Sequence, residues 1–176
     1  LSIDHRLQYI AYAALRQAVE ANDAQGGSVV VLDARTGEIL ALTSWPSFDP
    51  ARRAQLDLAR ARNRAVTDTF EPGSTMKPFS IATALEAGVV TPQTSFQTAP
   101  GWIRIGGRTI NDAHPHGVLT VEQILAKSSN VGTAKIALQL PAQSLWETLT
   151  AVGFGQAPRV GRTGAAPGRL RPPGSW

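Results

Sequence analysis

The stretch Glu71-Pro72-Gly73-Ser74-Thr75-Met76-Lys77-Pro78 constrains this chain more than any other. Pro72-Gly73 breaks what precedes it, because Pro fixes φ and Gly opens the left-handed region. From Thr75 to Ala87 the pattern turns helical, with Met76, Phe79, Ile81, Ala82 and Leu85 apolar and Gly88 placed as a C-cap. Pro78 has no N–H to give, and its ring clashes with the carbonyl four residues back, which is that of Ser74. The helical ladder therefore cannot begin with a bond from residue 78 to Ser74. This pins Ser74 to the helix entrance, with Lys77 one turn in. The spacing sets both on one helical face. A serine hydroxyl is a poor nucleophile until a neighbour takes its proton, and a lysine does so where its surroundings lower its pKa. The helix entrance adds partial positive charge and N–H groups, which favour an alkoxide or an oxyanion beside Ser74.

A second group follows at Ser128-Ser129-Asn130, between two helical patterns. In an extended turn, an i to i+2 spacing points Ser128 and Asn130 the same way. A hydroxyl shuttles a proton between an amine and a leaving group. A carboxamide donates to one substrate carbonyl and accepts from one amide. The plainer account is that Ser128 and Asn130 merely cap the two helices. The Ser74–Lys77 pair earlier in the chain tips the balance toward acyl-transfer chemistry.

The rest of the chain gives these groups a frame. Asp4 is an N-cap for a helix over 5–21, with Leu7, Ile10, Ala14 and Ala18 as its apolar stripe. Residues 28–32 read as a buried strand and 38–43 as its return, joined by the turn Asp33-Ala34-Arg35-Thr36-Gly37. The arginines at 52, 53, 60, 62 and 64 lie in a stretch that suits a short helix. Residues 89–119 are loop and short strand, with turn signals at Pro100-Gly101 and Gly106-Gly107. Thr120 caps a helix to about Lys127, 131–140 resumes it, and Pro141 opens another that Gly153 closes. The tail from Gly155 to Trp176 is irregular. No internal repeat is visible.

Composition narrows the class. The 176 residues suffice for one domain with a core. No apolar run approaches the ~20 residues that cross a bilayer. With no cysteine, disulfides and thiolate metal sites are excluded. The net charge is +4, and Arg159, Arg162, Arg169 and Arg171 follow the last acidic residue, Glu147. Without interleaved aromatics or a recognition motif this is a solvated basic loop, and no nucleic-acid partner is expected. His114-Pro115-His116 reads as a plain loop, not a metal site. His5 is a surface residue at a helix start. Trp45, Trp102, Trp146 and Trp176 are spaced as packing residues, and turn or capping roles explain Asp33, Asp49 and Asp112. The chain begins Leu1-Ser2-Ile3-Asp4 and reads as an internal piece of a longer protein.

Taken together, several runs resemble the transpeptidase domain of class B penicillin-binding proteins of the cell-division type. They are Arg62-Asn63-Arg64-Ala65, the run Thr69 to Phe79, Ile110-Asn111-Asp112, Lys127-Ser128-Ser129-Asn130-Val131-Gly132 and Gly153-Phe154-Gly155. The hairpin residues Asp33 to Glu38 followed by Leu40-Ala41 match as well. The likeness covers nearly all of residues 1–176, read as one partial transpeptidase domain. It implies an α+β fold like that of the serine β-lactamases: a helical subdomain with the first two strands of an antiparallel sheet, the later strands missing.

The resemblance also implies roles. Ser74 attacks the penultimate D-Ala carbonyl of a peptidoglycan stem peptide. Lys77 is its general base. Ser128 relays the proton to the departing D-Ala, Asn130 holds the substrate amide, and the Ser74 N–H is half of an oxyanion hole. No cofactor and no metal are implied. β-Lactams mimic D-Ala-D-Ala and trap Ser74. The implied partners are division proteins, and the implied place is the periplasmic face of the inner membrane, with an anchor outside this chain. The family's third motif, Lys-Ser/Thr-Gly, lies well over a hundred residues beyond its Ser-Ser-Asn box. Arg162-Thr163-Gly164 is too close to Asn130 to be it and reads as a divergent Phe-Pro-Gly-Glu loop. On this reading residues 1–176 alone are aggregation-prone and label weakly with penicillin. Two rivals are a serine β-lactamase, which lacks here a Glu-x-x-Leu-Asn-like deacylation box, and a non-catalytic binding or scaffold module.

Overall fold

Asp4 starts the first helix as its chemistry dictates. Its Oδ1 accepts the N–H groups of Arg6 and Leu7 at 2.8 and 2.9 Å, and α1 runs His5–Ala21. The computed structural model describes residues 2–49, 51, 57–161 and 164–176. These divide into two compact units, Leu1–Thr69 with Pro158–Ala166, and Phe70–Ala157 with Pro167–Trp176.

In the first unit, α1 packs on a hairpin of β1 (Gly27–Leu32) and β2 (Ile39–Trp45), paired antiparallel. The face it buries is Ala11, Leu15 and Val19, not the stripe of Leu7, Ile10, Ala14 and Ala18 that the apolar spacing suggests. Ile10 is 61% exposed. The reason lies in Gln8. Its amide donates to the Leu42 carbonyl at 2.9 Å and accepts the Leu42 N–H at 2.8 Å, so it serves β2 as a strand neighbour would. A polar residue thus sets the rotation of the helix. Gly27 permits the close approach: a Cβ there would lie 2.9 Å from the Leu15 side chain.

The hairpin turn is held by Asp33, whose Oδ1 accepts the Arg35 and Thr36 N–H groups at 2.7 and 3.1 Å. Gly37 takes φ +75° there. Register shifts by one residue between Val31 and Leu32. The strand β1 is not buried on both sides, contrary to its apolar run. Residues 27, 29 and 31 are half-buried while Val30 and Leu32 stay exposed, because α1 covers only one face. Beyond the hairpin come α2 (Leu58–Ala61) and α3 (Arg64–Thr67). Arg62 and Arg64 both donate to Asp68 Oδ2, at 3.0 and 3.1 Å. The arginines at 52 and 53 lie outside the described residues.

The second unit holds the predicted Ser74 helix in two parts. A 3-10 turn, Gly73–Met76, leads into α4 (Lys77–Glu86). Then follow β3 (Ser95–Gln97), β4 (Trp102–Ile105), β5 (Arg108–Asn111) and β6 (Val118–Thr120). β3 pairs with β6, and β4 with β5, both antiparallel. The β4–β5 hairpin turns on Gly106 and Gly107, at φ +54° and +81°, as two-residue hairpins require. These strands are three or four residues long and half exposed, too short to leave a clear alternation in the sequence. Three helices complete the unit: α5 (Val121–Ala126), α6 (Asn130–Ala137) and α7 (Ala142–Ala151). Thr120 caps α5 in a reciprocal box with Gln123.

The core of this unit is Ile81, Ala84, Val90, Leu119, Val121, Ile124, Ile136 and Leu140, with Phe96 packed against it. Burying each of its Ile, Val and Leu side chains stabilises by roughly 1.5–3 kcal/mol. Gly132 lets α6 meet α5 closely, for a Cβ there would lie 2.5 Å from Ile124 Cγ1. Phe79 meets Phe154 edge-on at 5.3 Å. In the tail, a 3-10 turn over Pro173–Ser175 contacts α7. Trp102 and Trp176 are 52% and 54% exposed, so neither is the packing residue its spacing suggests.

Candidate functional site

Gly73, at φ +60°, turns the chain into the 3-10 turn that carries Ser74. Pro78 cannot close a bond to the Ser74 carbonyl. The N–H of Lys77 takes that carbonyl instead, three residues on, and this is why the entrance winds as a 3-10 turn before α4 begins. Ser74 is exposed, and among the described residues no hydrogen bond holds its hydroxyl. Lys77, one turn later, is 8% exposed.

Lys77 Nζ reaches across to the loop between α5 and α6. It donates to Ser128 Oγ at 2.8 Å and to the Ser128 carbonyl oxygen through a short contact. Burial pushes the Lys77 amine below its ordinary value of 10.5, because the charged form loses water, and the negative charge of Asp112 partly opposes this. A buried amine with a lowered pKa is what a general base in this position requires.

Ser128 takes φ +55°, so the turn is left-handed there and not extended. The cause is local. The Ser129 N–H bonds to the Ile124 carbonyl at 3.0 Å and the Ser128 N–H to that of Leu125 at 3.1 Å. This pattern closes α5 with Ser128 at the position where helices ordinarily place glycine. The cap of the next helix is Ser129, not Ser128 or Asn130. Its Oγ accepts the Gly132 N–H at 2.9 Å. Ser128 is thereby free of capping duty, and its Oγ is given to Lys77.

Asn130 is the first residue of α6. Its Nδ2 donates to the Asn111 carbonyl at 2.7 Å, which ties it to the end of β5. Beside it stands Asp112, to which the sequence assigns a turn or cap. It does cap, but it caps α6, remote in sequence. Oδ2 accepts the Ser129 hydroxyl at 2.8 Å, and Oδ1 accepts the N–H groups of Asn130 and Val131, the latter at 3.0 Å. The one signal for this contact in the sequence is the Ile110-Asn111-Asp112 run. Asp33 and Asp49 keep their turn roles, Asp49 accepting the Ala51 N–H at 2.9 Å.

The geometry thus places two hydrogen-bonded sets side by side along one loop, Lys77 with Ser128 and Asp112 with Ser129 and Asn130, with Ser74 one turn before Lys77 and unbonded to it. A hollow of about 590 Å³ elsewhere, in the first unit, is lined by Gln8, Gly37, Leu42, Asn63 and Arg159 and includes no serine–lysine pair. Arg162 and Thr163 lie outside the described residues.

Comparison with known proteins identifies the family. The family model of the penicillin binding protein transpeptidase domain matches residues 27–176. The chain is 45% identical over 176 residues to a probable peptidoglycan D,D-transpeptidase PenA of Neisseria flavescens, covering all of this chain and 43% of that protein. It is 43% identical over 168 residues to the peptidoglycan D,D-transpeptidase FtsI of Escherichia coli K12, covering 96% of this chain and 28% of the other. The solved TP domain of Burkholderia pseudomallei penicillin-binding protein 3 superposes with a TM-score of 0.88 at 44% identity, over all of this chain and 49% of that one. The chain spans less than half the length of each of these relatives. The α+β arrangement of helices and short antiparallel strands is theirs as well, and the chain belongs to the class B penicillin-binding protein transpeptidase domain family.

Proposed function

We propose that this chain carries the acyl-transfer centre of a peptidoglycan D,D-transpeptidase acting in septal wall synthesis. The observation that carries the reading is the buried Lys77 amine, one turn after Ser74 and hydrogen-bonded to Ser128 Oγ and the Ser128 carbonyl. A neutral amine has two N–H bonds and one lone pair. The two Ser128 oxygens take both N–H bonds, so the lone pair is left for the proton of Ser74.

The cycle then follows. Ser74 Oγ attacks the carbonyl carbon of the penultimate D-Ala as its proton passes to Lys77. N–H groups at the helix entrance, that of Ser74 among them, stabilise the oxyanion. The C–N bond breaks, and the proton moves from Lys77 through Ser128 Oγ to the departing D-Ala amine. Asn130 holds the substrate amide. The amine of a second stem peptide attacks the acyl-enzyme, regenerating Ser74 and forming the cross-link. A β-lactam follows the first half of this path and stays on Ser74.

The relatives support the substrate class, for both are named as peptidoglycan D,D-transpeptidases, the first a probable one. We place the protein at the periplasmic face of the inner membrane, where peptidoglycan and division proteins would meet it. Among the described residues no helix is long and apolar enough to cross a membrane, and the proposed anchor lies outside this chain. The test is incubation of the full-length protein with a fluorescent penicillin, followed by peptide mass spectrometry. A stable adduct on Ser74, lost in Ser74→Ala, is expected. Rapid turnover of the penicillin, or no adduct, refutes the reading.

A further inference from the structure

Asp112 spends both carboxylate oxygens on the loop that carries Ser128 and Asn130. It takes the Ser129 hydroxyl on one oxygen and two consecutive backbone N–H groups on the other. Its neighbour Asn111 takes the Asn130 side chain. The Asp112 backbone is itself fixed, its N–H bonded to the Gly101 carbonyl at 2.8 Å. Ser129 Oγ caps α6 through Gly132, and Asp112 adds the two N–H groups before it and the Ser129 hydroxyl itself, so it holds the loop as well as the helix end.

Between these ties sits Ser128 in the left-handed region. A strained residue of this kind persists only where its surroundings over-determine it. Upstream, the closing bonds of α5 hold it. Downstream, the hold is Asp112. Released from Asp112, the 129–131 segment can shift, Ser128 can relax, and Oγ leaves Lys77.

We propose that Asp112 is the positioning residue of this centre, its carboxylate fixing residues 129–131 so that Ser128 Oγ faces Lys77 and the Asn130 carboxamide stays tied to β5. The inference rests on the acyl-transfer reading above. The same carboxylate is, among the described residues, the charge that acts on the basicity of Lys77.

The test measures penicillin acylation of the full-length protein from about pH 6 to about pH 10, with the limiting rate and the half-saturating concentration separated. The wild-type limiting rate should rise with pH as Lys77 loses its proton. Asp112→Asn should acylate roughly tenfold to a hundredfold more slowly at saturation, the cost of a small misplacement. Its pH midpoint should also move down, because the charge that raises Lys77 is gone. Ser129→Ala removes one tie and keeps the charge, so it should slow the limiting rate and leave the midpoint in place. A role confined to capping would lower the melting temperature alone. Asp112→Asn with the wild-type limiting rate and midpoint overturns the proposal. Should Asp112→Asn not fold, Ser129→Ala decides: a wild-type limiting rate there overturns it equally. A wild-type protein that never labels at Ser74 sinks the functional reading instead, before either variant is compared.

Discussion

Ser128 offers a clean separation of strain from chemistry. It stands at φ +55° where a glycine would ordinarily close α5, and its Oγ bonds Lys77. Consider Ser128→Gly and Ser128→Ala side by side. Both lose the hydroxyl and its 2.8 Å bond to Lys77, and both keep the Ser128 carbonyl that Lys77 also uses. They differ in the backbone. Alanine keeps the left-handed penalty of roughly 1–2 kcal/mol, and glycine removes it. Glycine in turn loses roughly 0.5–1 kcal/mol through the greater freedom of its unfolded chain. The glycine variant should therefore be the more stable by about 0–1.5 kcal/mol. Parallel urea titrations of the full-length variants measure the difference. In acylation the order should vanish, both variants falling about 10²–10⁴-fold if the proton relay runs through Oγ. A glycine variant less stable than the alanine one would refute the strain argument. A glycine variant acylated at the wild-type rate would refute the relay.

Three further expectations follow from particular contacts. Lys77 has its pKa lowered from 10.5 by burial, so between that lowered value and 10.5 the unfolded chain binds more protons than the native one. Stability from this group should therefore rise with pH through that window. The melting temperature of wild type relative to Lys77→Met should climb with it, and a difference flat in pH would contradict the assignment. Gly132→Ala would put a Cβ 2.5–2.9 Å from three Ile124 carbons. A loss of roughly 1–3 kcal/mol is expected from such overpacking, measurable by thermal unfolding, and a neutral result would mean α5 and α6 separate freely. Asp4→Ala removes the side chain that accepts the Arg6 and Leu7 N–H groups and should cost about 1 kcal/mol. Asp4→Asn should recover most of it in the same melt, and failure to do so would show that the cap contributes little.

Wherever one residue's own covalent chemistry decided the matter, the sequence was legible. Asp4 capping a helix from His5, Gly37 and Gly88 at turns, and Pro78 forcing Ser74 to a helix entrance all depend on near neighbours. The runs around Ser74 and Ser128 also named the family. Rotations and partnerships were less legible, because those are set by surfaces distant in sequence. The apolar stripe of α1 pointed to Leu7 and Ile10, yet the two hydrogen bonds of Gln8 to Leu42 turned the helix the other way.

The site divides along the same line. Sequence alone determined that a serine and a lysine lie one turn apart at a proline-marked helix start, with a Ser-Ser-Asn loop to follow. Only the tertiary structure decided that Lys77 is buried, that Ser128 is left-handed with its Oγ on Lys77, and that Ser129 does the capping. It alone brought Asp112, at the end of a strand 17 residues before Ser129, against that loop. Local backbone preferences propagate a few residues. A desolvated amine and a carboxylate that caps a remote helix exist only once α4, β5, α5 and α6 have packed together.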